Sequence, residues 1–147
     1  MPSASKMRRL AERLNAYEAV ENRSRMTNAP PAFRVCEKLR RPLVKLAGSG
    51  GFRALLFRAM ALARTEVRWL LTIEIETDGT LGFPPSMARM GKEEIAEAEV
   101  ALAARVIELL VVFIGEPMTL TLVQDIWPTI TFSEIDSNKE TPTGKET

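Results

Sequence analysis

GKEEIAEAEVALAARVIELLVVFIGEPMTLTLVQDIWP, residues 91–128, is the stretch whose reading decides the fold. Within it Ile95, Ala98, Leu102, Val106, Leu109 and Phe113 recur at steps of three and four, the spacing of one helix face. Ala96, Val100, Ala103, Ile107, Leu110 and Ile114 repeat the pattern on the neighbouring face. Glu94, Glu97, Arg105 and Glu108 form only a narrow polar strip. A helix apolar around most of its circumference is expected to be the central element of a domain, with partners on several sides. The spacing therefore predicts a buried central helix over 92–114.

Its ends are marked in the sequence. Glu93, Glu94, Glu97 and Glu99 suit the positive end of a helix dipole, and Gly115 is a stop signal. Pro117 opens a final short helix reaching about Trp127, with Leu120, Val123 and Trp127 on its face. Pro128 is expected to close the fold. SEIDSNKETPTGKET, residues 133–147, is almost free of apolar side chains, and 129–147 is expected to be a disordered tail.

Upstream, Ser5 to Asn22 reads as a first helix. Met7, Leu10, Leu14 and Tyr17, followed by Val20 or Glu21, form a narrow seam of coiled-coil-like spacing. Such a seam suits a helix that protrudes or dimerises over 1–24, so Leu10, Leu14 and Tyr17 are candidate interaction residues. NRSRMTNAPP follows as a linker. A second helix starts near Ala32 with Cys36, Leu39, Leu43 and Leu46 on one face. Pro42 should kink it or begin a new helix, and GSGG (48–51) should end it. A third helix is predicted over Phe52–Leu71, with Phe52, Leu55, Leu56, Met60, Val67 and Leu70 facing the central helix. The period then changes: 71–77 and 80–83 read as a short β-hairpin around Asp78-Gly79. The expected fold is mainly α, about five helices and one hairpin, as a single domain over residues 1–128.

Bulk properties agree with one globular unit. The chain has 147 residues, 46% hydrophobic and 27% charged, enough to bury an ordinary core. Net charge is +1, yet residues 1–70 carry 15 Lys+Arg against 5 Asp+Glu, and residues 71–147 carry 5 against 14. The asymmetry points either to a basic surface for an anionic partner or to two halves that neutralise each other. The N-terminus lacks the apolar segment of a signal peptide. Val106–Ile114, the most apolar run, is too short to span a bilayer. With a single cysteine, Cys36, a cytoplasmic protein without membrane contact is expected.

The residue inventory narrows the chemistry. There is no histidine, which removes Ser-His-Asp and Cys-His catalysis and histidine-ligated metals. One cysteine removes thiolate zinc sites. Glu93 and Glu97 are helix neighbours that could hold a hard cation, although acids collect at helix N-termini for dipole reasons alone. Glu108, amid the most apolar run, is either a buried carboxylate at a site or half of an ion pair. GSGGFR offers glycines and an arginine at a helix start, a weak phosphate signal. Arg53, Arg64 and Arg68 share a face if their helix continues to Leu71, and with Arg40 and Arg41 they are the candidate anion-binding set. Neither helix-turn-helix nor zinc-finger spacing accompanies them. Met60, Met87, Met90 and Met118 read as core filler or as an adaptable groove.

These features lead to a non-catalytic regulatory or scaffolding module that works through helix–helix contacts and associates with itself or another protein. No cofactor is expected. Nucleic-acid or other anion binding by the basic half is the alternative, and a sensing or enzymatic domain around Glu108 is the third.

Overall fold

The central helix forms over Lys92–Ile114 in the computed structural model, which describes residues 4–25 and 33–130. In chain order the elements are α1 (Ala4–Arg25), α2 (Arg34–Ala63), β1 (Glu74–Ile75), β2 (Leu81–Gly82), α3 (Lys92–Ile114) and α4 (Glu116–Ile126). Two 3-10 turns, Arg68–Thr72 and Pro85–Arg89, flank the hairpin. The fold is mainly helical with one small antiparallel hairpin, as its periodicities predict.

α3 is enclosed along most of its length. Ala98, Ala101, Ala103 and Ala104 are buried beside Leu102, Val106, Ile107 and Leu110. Short side chains at four of these positions let neighbouring helices approach closely on more than one side. α1 lies antiparallel to α3: Lys6 pairs with Glu116 near one end, and Asn15 donates to Glu99 near the other. α2 covers another side. At the N-terminus of α3 the Glu94 carboxylate accepts the Gly91 N–H at 3.2 Å, satisfying a donor that the first helical turn leaves free.

The enclosure stops before the helix does. Leu109 is half-buried, while Val112 is 75% exposed and Phe113 68%. Phe113 was expected in the core; α4 turns away at Gly115 and leaves the Val112–Phe113 side of that last turn uncovered, while Val111 stays buried. Gly115 (φ 88°, ψ 158°) and Gly48 (φ 81°, ψ 162°) share a backbone region essentially reserved for glycine. Each therefore stops a run of helix.

At Gly48 the stop is momentary. Instead of ending the second helix and opening a loop, the break joins two helical segments into one bent element, α2. Pro42 sits inside the first segment without a break in its dihedrals. The second segment ends at Ala63, earlier than the predicted Leu71. Val67 and Leu70 are still buried, but they reach the core from a turn and a 3-10 helix.

The hairpin is smaller than expected. Glu74 pairs with Gly82 and Ile75 with Leu81. Glu76 N–H donates to Thr80 C=O and Gly79 N–H to Glu76 C=O, so Thr77, Asp78 and Gly79 form a three-residue turn. Asp78 accepts from both the backbone and the hydroxyl of Thr80. Ile73 is fully buried and anchors the hairpin to the helices.

α1 does not protrude. Met7, Leu10, Ala11 and Leu14 are buried within this chain, and Tyr17 packs against the same core. The inward line runs 7–11–14–18, so its last member is Glu18, and Val20 faces out. At the other end, Ile130 is buried and its N–H donates to Trp127 C=O. The folded unit thus extends past Pro128. The Pro30-Pro31 linker and residues 131–147 of the expected tail lie outside the described residues.

Candidate functional site

The arginines grouped by the sequence reading are not brought together. Arg53 donates through Nε to Glu76 C=O at 2.9 Å, with its guanidinium 4.7 Å from the Phe57 ring centroid. Arg64 donates to Leu70 C=O at 3.4 Å and Ile73 C=O at 3.3 Å, tying the 3-10 turn to the end of α2. Arg68 is exposed on that turn. The shared face required a helix through Arg68, and the helix ends at Ala63. Arg40 binds Glu37 one turn away at 2.7 Å. Arg41 is exposed and, among the described residues, has no partner.

Glu108 is half-buried and accepts from Arg105 at 3.1 Å. Arg105 also reaches Glu66 at 2.7 Å, and Glu66 binds Arg8 at 2.7 Å. Burial pushes the Glu66 carboxyl up, but hydrogen bonds and attraction from the two arginines outweigh it and hold the group below its ordinary range. Glu108 therefore belongs to a four-member surface network joining α1, α3 and the turn after α2. Glu93 and Glu97 are exposed, and no group of three potential metal ligands occurs among the described residues. Gly48 to Gly51 are also exposed.

Two carboxylates have roles that the sequence reading did not give them, Glu18 buried and Glu99 half-buried. Glu18 is 2% exposed and accepts from Trp127 Nε1 at 2.8 Å, Lys38 Nζ at 2.6 Å and Arg34 Nε at 3.2 Å. Burial alone would raise its pKa; hydrogen bonds from Lys38 and Trp127, with the positive charge of Lys38 and the Arg34 bond, lower it overall. Glu99 accepts the Phe33 N–H at 2.7 Å and the Asn15 amide at 3.2 Å. Burial raises its pKa further than those two neutral donors lower it. The legible signal for both was spacing: Glu18 continues the line 7–11–14, and Glu99 falls between Ile95 and Leu102.

Phe33 begins α2 with left-handed dihedrals (φ 60°, ψ 34°), a strained state for a bulky residue. Glu99 holds its N–H, and its ring stacks on Phe83 with centroids 5.5 Å apart. Beside it lies a cavity of about 250 Å³ lined by Phe33, Cys36, Phe52, Leu56, Leu81 and Phe83, among others. Burial, with Glu99 and Glu37 nearby, pushes the Cys36 thiol up to about 12. A thiol so placed stays protonated at neutral pH and is no nucleophile. The cavity, which Arg34, Glu37 and Thr80 also line, therefore holds no nucleophilic thiol.

Two surface features remain. One is the row Arg34, Lys38, Arg41 and Lys45 along the first segment of α2. The other is the corner between α3 and α4, where Val112, Phe113 and Met118 (56% exposed) stand in solvent. Met60 and Met87 are buried core residues and Met90 is half-buried, so Met118 alone of the four methionines stands open. No described helix is long and apolar enough to cross a membrane. Compared with known proteins, the chain matches no family model, no curated protein and no solved structure.

Proposed function

We propose that this chain is a non-catalytic helical interaction module that associates with a second copy of itself through the corner between α3 and α4. The observation that carries the reading is the exposure of Val112, Phe113 and Met118 on either side of Gly115. Val112 and Phe113 are the most exposed large apolar side chains among the described residues, and such side chains grouped at one place mark contact sites.

The surroundings favour a copy over a strongly charged partner. Val112 continues the stripe of Arg105 and Glu108 along α3, one and two turns back. Glu116, just past the corner, pairs with Lys6. Lys6, Arg8 and Arg105 balance Glu66, Glu108 and Glu116 around the apolar centre, leaving no net charge to repel an identical face. An apolar centre with a polar rim is the ordinary anatomy of an interface, and a closed two-fold dimer places such a patch against itself. Leu10 and Leu14, expected as interaction residues, are occupied inside the fold, so the contact surface moves to this corner. Glu108 serves the rim as an ion-pair member, which leaves the sensing or enzymatic alternative without its anchor.

Light scattering coupled to size exclusion tests the reading. The chain should run as a dimer at tens of micromolar, and the double variant Val112→Ser/Phe113→Ser as a monomer with unchanged helical circular dichroism. A wild-type chain that stays strictly monomeric across that range would overturn it.

A further inference from the structure

Arg34, Lys38, Arg41 and Lys45 follow one another at steps of four, three and four on a segment whose dihedrals stay helical up to Gly48. At 100° per residue all four fall within about 60° of each other, in a row about 16 Å long. No acid interrupts the row. Glu37, on one flank, is engaged by Arg40, and Pro42 lies on the other flank.

The row is also anchored from beneath. Glu18, buried between α1 and the end of α4, accepts from both Arg34 and Lys38. One carboxylate cannot neutralise two cations, and Arg41 and Lys45 are exposed without partners among the described residues. Among the described residues, three positive charges of the row are left uncompensated. Glu18 fixes the direction of the first two side chains, which lowers the ordering cost of binding.

From this arrangement we propose that the row is a binding site for the phosphate backbone of a nucleic acid, read without regard to base sequence. A row about 16 Å long runs alongside several consecutive phosphates of one strand. Backbone phosphates require only aligned donors and positive charge. A protein partner would need an apolar centre and a membrane surface an apolar face to insert. The row has neither: its exposed apolar neighbour, Leu46, stands only at its far end. Stacking aromatics are absent from the row, which fits backbone contact and no preference among bases. The site is separate from the α3–α4 corner and does not depend on dimer formation.

Fluorescence anisotropy with a labelled mixed-sequence single strand and the full chain tests the proposal. Binding at low salt should weaken steeply as salt rises. Arg41→Glu/Lys45→Glu should lower affinity at least tenfold and reduce the magnitude of the log–log salt slope by about two. Both side chains are exposed, and an unchanged circular dichroism melt checks the fold. Arg58→Glu/Arg89→Glu makes the same charge change at exposed residues off the row and should alter affinity less than about threefold. Absence of binding at low salt would overturn the proposal. So would equal loss in the two double variants, or equally tight binding to poly-glutamate or to phosphatidylserine vesicles at matched salt.

Discussion

Glu18 shows how one side chain can join three helices. Its carboxylate meets the Trp127 indole from beyond α4 and two cations from α2, and it is itself rooted in α1. Removing it leaves a buried indole N–H without an acceptor, while Arg34 and Lys38 can relax toward water. Glu18→Ala should therefore cost about 2–3 kcal/mol, less than a fully buried pair would, and chemical denaturation followed by Trp127 fluorescence measures it. Glu18 and the half-buried Glu99 also predict opposite pH responses. Glu18 has a lowered folded-state pKa, so its contribution is complete above the free glutamate value of about 4.3 and is lost as pH falls through the folded value. Glu99 has a raised one, so the folded chain holds that proton more tightly and stability falls as pH rises through the interval above about 4.3. Urea midpoints between pH 3 and 7 should show the decline on the acid side reduced in Glu18→Gln. In Glu99→Gln the decline on the neutral side should flatten; an identical profile for both variants would contradict these environments.

For the helices, what a position faces matters more than what it is. Leu102 and Phe113 belong to the same apolar stripe of α3 in sequence, yet one is fully buried and the other mostly exposed. Leu102→Ala should cost about 2–5 kcal/mol through the cavity it leaves. Phe113→Ala should fall within about 0.5 kcal/mol of wild type in the monomer, as surface substitutions do. Comparable losses at the two positions would mean that the corner is covered within the chain. The bend in α2 makes a separate prediction. A Cβ at Gly48 meets no atom within 4 Å, so Gly48→Ala would be free of steric conflict. The cost should come from dihedrals alone, about 1–3 kcal/mol. If the variant is instead stabilised, the bend is a preference of glycine that the helix can do without.

Across the whole molecule, α3 serves as the common wall for α1, α2 and α4, and the Arg8–Glu66–Arg105–Glu108 network closes the surface above it. With one shared core from Met7 to Ile130, unfolding should be a single cooperative event. A Trp69→Phe variant leaves Trp127 as the sole indole reporter; its fluorescence transition should coincide with loss of helix by circular dichroism. Separate midpoints would divide the chain into independently folding parts. The uneven charge is distributed across the same molecule. Lys6–Glu116 and Arg105–Glu66 link the basic and acidic halves, but Glu18 and Glu37 draw their partners from within the basic half. Among the described residues, mutual neutralisation of the two halves is therefore incomplete, and Arg41 and Lys45 remain open.

Local spacing by itself determined the extent of α3, the start of α4, the hairpin turn and the inward positions of α1 as far as Leu14, because period and stop signals act over a few residues. It also exposed a chain without histidine and with one cysteine. Only the tertiary structure decided that Glu18 is buried and Glu99 half-buried, that Phe113 is open, and that Arg53 and Arg64 are spent on backbone carbonyls. Each of those outcomes depends on which surface a distant segment happens to cover. A helical period defines faces, but it carries no information about which face another helix will take out of water.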